Sequence, residues 1–276
     1  MIPALFVAFR EGLEAALIVG IVLGYLIKTG HKERARYAWA GVLAAVAASV
    51  ALALAIQIVG AELEGRAEQV FEGVTMFLAV GVLTWMIFWM RYQARTLKST
   101  LEREVHTAVH AGQNWGLAAV AFLTVFREGV ETALFLSAAA FANDGLGTLA
   151  GAILGLAIAA LVGYLIYATA VRLNLGLFFN VTSVLLLVFA AGLLAHGIHE
   201  FQEAGLIPTL NEHLWDTNSI LDEQSPAGEV LKALVGYNGN PSVEEVIAYW
   251  AYWLVALLGV RWWADRKAAR AALAEA

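Results

Sequence analysis

The feature that most constrains this chain is a charged pentapeptide set inside apolar sequence, and it occurs twice. Arg10-Glu11-Gly12-Leu13-Glu14 sits within the apolar run Met1–Ile27, and Arg127-Glu128-Gly129-Val130-Glu131 sits within a second such run. The flanks repeat too: Phe6-Val-Ala-Phe9 precedes the first copy and Phe122-Leu-Thr-Val-Phe126 the second, and Ala15-Ala16-Leu17 is matched by Thr132-Ala133-Leu134. On a helix turning about 100° per residue, the arginine and both glutamates of each copy fall on one face. Gly12 and Gly129 point elsewhere, where a missing side chain lets another helix come close.

Charge at this depth is costly. A single Arg or acidic residue at the centre of a membrane helix costs about 2.5–3.5 kcal/mol on insertion scales. Six of them facing lipid would cost roughly 15–20 kcal/mol. These side chains must therefore face one another, a wet path or a bound ion. Four glutamates against two arginines leave a formal surplus of two negative charges, which invites a multivalent cation.

The chain's 276 residues are 61% hydrophobic and 14% charged, and the mean hydropathy is +0.71. A soluble domain is nearer half apolar and a quarter charged. The pattern predicts an all-α membrane protein of seven transmembrane helices, at about residues 3–27, 37–60, 70–90, 116–142, 147–171, 177–199 and 243–264. It has no cysteine, which excludes disulfides and thiolate metal sites. The first run has no basic segment before it and carries charges where a signal peptide is apolar, so it reads as a retained span.

Basic residues set the orientation. Thirteen of the 17 lie after spans one, three, five and seven, among them Lys28, Arg34, Arg95, Arg103, Arg172 and Arg266. Arg66 and Lys232 lie on the opposite side, which otherwise carries acidic residues such as Asp144, Glu212, Asp222 and Glu223. The positive-inside rule then gives the N-terminus outside and the C-terminus inside. An acidic outer face also concentrates cations. Three spans separate the two motif copies, and an odd number reverses direction. Spans 1–3 and 4–6 therefore read as an inverted repeat with an extra span appended: repeat one 1–90, an inner amphipathic linker 91–115, repeat two 116–199, an outer loop 200–242, span seven 243–264 and a cytoplasmic tail 265–276. Such repeats place a transported substrate near the midplane at their interface. Glu11 and Glu14 lie about 15 Å along the helix from Pro3, which is that depth.

Several other stretches carry expectations. Leu97, Leu101, Val105 and Val109 predict an amphipathic helix on the inner surface, with His106 and His110 on it. Gly20 with Gly24, and Gly151 with Gly155, have the small-xxx-small spacing of close helix contacts. His196, His199, Glu200 and Glu203 form a helical stripe of imidazole and carboxylate at the outer edge, a pattern that suits a transition metal; such histidines also serve as plain interfacial residues. Glu68 and Glu72 share a face at the mouth of span three. Pro226–Val235 reads as a short helix stopped by Gly236, and Ser242 with Glu245 as a capping box that opens span seven. Tyr249, Trp250, Tyr252 and Trp253 suit interfacial aromatic belts.

The doubled Arg-Glu-Gly-φ-Glu, with φ Leu or Val, resembles the signature of the oxidase-dependent iron permeases, a family that includes fungal high-affinity permeases and bacterial Efe-system permeases. The resemblance covers essentially the whole chain, and the run from Trp215-Asp216-Thr217 to Gly236-Tyr237-Asn238 is also similar to bacterial members. It implies a multi-pass plasma membrane (bacterial inner membrane) permease with iron, Fe³⁺ by expectation, as transported substrate rather than tightly bound cofactor. It implies Glu11, Glu14, Glu128 and Glu131 as ligands, with Arg10 and Arg127 as their ion-pair partners. It also implies an extracytoplasmic oxidase or iron-delivery protein as partner, alongside the lipid bilayer and with no nucleic acid. The outer Asp-Ala-Ser-Glu string of fungal members does not occur here. Glu68, Glu72, His196, His199, Glu200 and Glu203 stand in its place as a candidate outer capture site. Carboxylate-rich chemistry suits a hard cation, yet the residues alone leave Mn²⁺, Fe²⁺ and Pb²⁺ open. Two rival readings remain: an intramembrane metalloenzyme, disfavoured by the lack of the Glu-x-x-His of helix-bundle metal sites, and a purely structural pair of ion clusters.

Overall fold

The computed structural model describes all residues except 94–96, 111–113, 144, 170–174, 212, 224 and 276. Of the residues used above for orientation, Arg95, Asp144, Arg172 and Glu212 therefore lie outside the described residues. Among those described there is no strand. The helices are α1 (Ile2–Lys28), α2 (Ala35–Glu62), α3 (Arg66–Gln93), α4 (Leu97–His110), α5 (Asn114–Phe141), α6 (Gly145–Thr169), α7 (Leu175–Glu203), α8 (Pro226–Val235) and α9 (Val243–Glu275). A single 3₁₀ turn, Lys32–Arg34, links α1 to α2.

Long helices stand at each of the seven apolar segments, and the shortest, α6, has 25 residues. At about 1.5 Å per residue that exceeds a hydrocarbon core of about 30 Å. Four stretches, Lys32–Glu62, Arg66–Ile87, Gly145–Ile166 and Val181–Glu203, are long and apolar enough to cross a membrane on composition alone. In α1 and α5 the charged motif itself breaks the apolar run. Helix α9 continues to Glu275, through the stretch expected to be a separate tail.

α1 lies along α6, α5 along α2, α3 against α7, and α1 crosses α5; α9 packs on α7. Glycine makes the closest of these contacts. A Cβ on Gly151 or Gly155 of α6 would strike the carbonyl oxygen of Met1, just before α1, or of Leu5 in α1, and one on Gly41 of α2 would strike that of Ala118 in α5. Gly20 and Gly24 depart from expectation: among the described residues, a Cβ there meets nothing within 4 Å. That half of α1 is held by larger side chains instead, with Ile18, Val22 and Leu26 packing among residues of α2, α4 and α5.

The apolar stripe of α4 also differs from an interfacial helix. Leu101, Val105 and Val109 are buried in the same cluster as α1 and α5 residues, so the stripe is covered by protein rather than laid on lipid. Tyr252 is no belt anchor either: it is buried, and its hydroxyl is 2.9 Å from Thr84 Oγ1 between α9 and α3. Trp250, by contrast, is 65% exposed.

Two apolar clusters bracket the motif depth. One gathers Val7 of α1 with Phe135 and Ala138 of α5 and Ala142 just after it, plus Leu83 and Phe189 from α3 and α7. The other gathers Ile18, Val22 and Leu26 of α1 with Leu117, Ala121 and Val125 of α5. The start of α1 thus meets the end of α5, and the two run antiparallel with their motifs between the clusters. Outward faces of α2 and α6 are apolar, as Leu43, Leu54, Ile153 and Leu161 show, which is what a lipid-facing surface requires.

Candidate metal centre

Helical spacing puts each arginine over its own glutamates. Arg10 Nη1 donates to Glu11 Oε1 at 2.8 Å, and Arg10 Nη2 lies 3.1 Å from Glu14 Oε1. In the second copy Arg127 Nη2 is 3.2 Å from Glu128 Oε1, and Nε is 3.4 Å from Glu131 Oε1. Arg10 Nη1 also donates to Met86 Sδ of α3 at 3.1 Å, a partner that no pattern in the sequence singled out.

The glycines place the motifs. A Cβ on Gly12 would come 2.9 Å from Ala159 Cβ of α6, and one on Gly129 would come 2.6 Å from Ser49 Cβ of α2. Each motif turns its bare face to a supporting helix and its charged face to the other motif. Because α1 and α5 are antiparallel, the charged faces meet. Glu11, Glu128 and Glu131 each offer a carboxylate oxygen, and these oxygens lie within 4.8 Å of one another. Glu11 and Glu128 are buried and Glu131 is half-buried. Glu11 Oε2, Glu128 Oε2 and Glu131 Oε2 are enclosed without a hydrogen-bond partner among the described residues. Glu14 is buried as well but stands outside this triad, against Arg10. The arginines reach across: Arg10 interacts electrostatically with Glu128 and Glu131, and Arg127 with Glu14.

Unpaired carboxylate oxygens in an enclosed site are expensive. Three of them, from two helices, make a hard, all-oxygen donor set of the kind that suits cations rather than soft or covalent chemistry.

The expected outer stripe divides in two. His196 Nε2 is 3.8 Å from Glu200 Oε1. Glu200 is buried where a Cβ on Gly73 of α3 would meet its Cβ at 3.3 Å, and it interacts electrostatically with Glu68 and Glu72. His199 and Glu203 line a cavity of about 370 Å³ together with His196, Gln202, His213, Glu223, Asn238 and Glu245. Glu68, Glu72 and Glu200 are not among its lining residues. The expected capping box is present, with Glu245 N donating to Ser242 Oγ at 3.2 Å, and so is the helix Pro226–Val235 ended by Gly236 at φ 68°. Sequence reading did not bring His213, Glu223 and Glu245 to this cavity, because the outer loop between α7 and α9 folds back over α7. Thr217 N donates to Gly239 O at 2.8 Å and Leu214 N to Pro241 O at 2.9 Å, which closes that fold.

The model of the iron permease FTR1 family matches residues 1–268. The chain belongs to that family. It is similar to the ferrous iron permease EfeU of Escherichia coli O6:H1, at 39% identity over 94% of each chain. The Yersinia pestis ferrous iron permease EfeU is 38% identical over 94% of this chain and 92% of its own. A relative in E. coli K12 described as a putative inactive ferrous iron permease EfeU is 39% identical over 94% of each. No solved structure matches the chain. Membership makes this protein a permease and not an enzyme, with iron as transported substrate, and the metalloenzyme reading falls.

Proposed function

We propose that this protein carries iron across the bacterial inner membrane through a midplane site in which Glu11, Glu128 and Glu131 replace the ion's water shell. Glu14 is the fourth ligand, released from Arg10 as the ion moves. Arg10 and Arg127 hold the carboxylates apart when the site is empty. The observation that carries this reading is the convergence of three carboxylates, each with an enclosed unpaired oxygen, from two antiparallel helices.

The cargo is Fe²⁺ rather than the Fe³⁺ expected at first. Four glutamates and two arginines sum to two negative charges, which a divalent ion neutralises. The name ferrous iron permease borne by the relatives agrees. An extracytoplasmic iron-delivery protein supplies the ion; the oxidase expected as the other partner would yield Fe³⁺ and does not suit a ferrous cargo.

The protein spans the membrane seven times, N-terminus out and C-terminus in, as an inverted repeat of α1–α3 and α5–α7 plus α9. Packing supports the repeat: exchanging the two triplets turns the α1–α6 contact into α5–α2, leaves α3–α7 unchanged, and turns Gly12 against α6 into Gly129 against α2. Rocking of one triplet on the other exposes the site to each side in turn.

Radiolabelled iron uptake into proteoliposomes, with iron held ferrous or ferric, tests the reading. Wild-type protein takes up ferrous iron, and a folded Glu131→Gln variant takes up none. A folded wild type that moves neither form, or moves Mn²⁺ or Pb²⁺ in preference to iron, overturns it.

A further inference from the structure

We propose that the 370 Å³ outer cavity is a second metal site, separate from the midplane cluster, that binds a first-row divalent cation through imidazole nitrogen as well as carboxylate oxygen. Its core is His199 and Glu203, with His213 as the ligand from the loop and Glu245 as the positioning residue.

The geometry starts at His199. Its Nδ1 lies 3.1 Å from Glu245 Oε1, and Glu245 is itself held by Asn238 Nδ2, which donates to Oε2. With Nδ1 held by a buried carboxylate, Nε2 is the nitrogen that gives up its proton to an incoming cation, since without one it faces Glu203 as an ion pair. This is the carboxylate–histidine arrangement that orients metal-binding imidazoles. Nε2 then stands 3.3 Å from Glu203 Oε1. Metal–ligand bonds of about 2.1 Å set tetrahedral or octahedral neighbours ~3.0–3.4 Å apart, so this pair already has the bite of two ligands on one ion. Glu203 Oε2 accepts from Gln69 Nε2 at 3.0 Å, which fixes the carboxylate and leaves Oε1 for the cavity.

His213 repeats the device. Its Nδ1 is 3.3 Å from the carbonyl oxygen of Asn240, which again leaves Nε2 for an incoming cation. It lines the same cavity from the loop but is not within 4.8 Å of both His199 and Glu203, so it closes on the ion only as the ion binds. The chain has six histidines, and the three on α7 and the following loop all line this one space. A stripe of interfacial histidines on one helix would not gather a third from a loop residue that folds back. Mixed imidazole and carboxylate suits Fe²⁺ and its first-row neighbours, whereas the midplane cluster is oxygen only.

The cavity has a smaller neighbour. That space of about 40 Å³ shares His196, Glu223, Asn238 and Glu245 with it and reaches Pro3 of α1 and Asn143 beside the end of α5. The Lys232–Glu223 ion pair, at 2.7 Å, lines the smaller space, and Glu223 lines both.

The test uses the full chain in lipid nanodiscs, with Glu11→Gln and Glu128→Gln removing competition at the midplane, and Co²⁺ as the probe. Expected is about one bound Co²⁺ with solvent-exchangeable, strongly downfield imidazole N–H resonances, which an all-oxygen site does not give. His199→Gln and Glu203→Gln each weaken Co²⁺ binding on the order of 100-fold, and His213→Gln removes one imidazole resonance. Glu245→Gln weakens binding about 10–100-fold and shifts the remaining resonances, the size of loss typical when a partner that orients a metal ligand is removed. Absence of Co²⁺ binding, binding without imidazole resonances, or binding that His199→Gln leaves unchanged overturns the proposal. The spectrum of the His199-bearing protein decides the matter even where a variant fails to fold.

Discussion

The two motif copies are nearly the same in sequence and differ in surroundings. Arg10 is fully enclosed, fixed by Glu11, Glu14 and Met86, while the Arg127 side chain is 37% exposed. Arg127 Nε is nonetheless enclosed beside Glu131, so the exposed part of the side chain is its outer end. The difference teaches that a repeated motif does not carry a fixed energetic role. An enclosed charge depends wholly on its built partners, whereas a charge at the edge can stretch its long side chain to a more polar setting.

The largest expected effect follows directly. Arg10→Met leaves Glu11 and Glu14 enclosed without their cation and lowers stability by about 3–5 kcal/mol, as removal of one partner of an enclosed pair does. Arg127→Met lowers it by less, about 1–3 kcal/mol, because the guanidinium is partly exposed while its partner Glu128 stays enclosed. Thermal unfolding in detergent, followed by loss of monodisperse protein, compares the two; equal losses would break the distinction drawn here.

A smaller effect sharpens the comparison at the glycines. Gly129→Ala forces a methyl onto Ser49 of α2, whereas Gly12→Ala meets Ala159 Cβ and the flexible end of Leu156. Overpacking of this kind costs about 1–3 kcal/mol. Gly129→Ala sits at the upper end and is relieved by Ser49→Gly, while Gly12→Ala sits at the lower end. The same thermal measurement checks this; a Gly129→Ala protein as stable as wild type, or one that Ser49→Gly fails to improve, contradicts it.

How much of this was legible in the sequence depended on the range of the signal. Helix positions were written in hydropathy, and the opposition of α1 and α5 in the doubled motif. Lipid penalises the charged faces too heavily for them to face outward, which left one another, a wet path or a bound ion as their surroundings. Glycine was ambiguous: Gly20–Gly24 and Gly151–Gly155 share a spacing, but only the second pair has a helix against it, and spacing alone does not name the neighbour. Met86 was invisible because a thioether in an apolar helix has no pattern until a guanidinium points at it. The outer cavity was half legible. Its α7 residues follow helical periodicity, whereas His213 and Glu245 arrive through a loop fold whose hydrogen bonds leave no periodic trace.

The central claim is that the two copies build one site and not two. Ferrous iron uptake into proteoliposomes by Glu11→Gln, Glu128→Gln and the double variant tests it most directly. A shared site predicts that each single change reduces uptake to background and that the double adds nothing, since ligands acting as a unit are not additive. If each single variant kept about half the wild-type rate and only the double abolished uptake, the copies would be independent and this account of the site would be wrong.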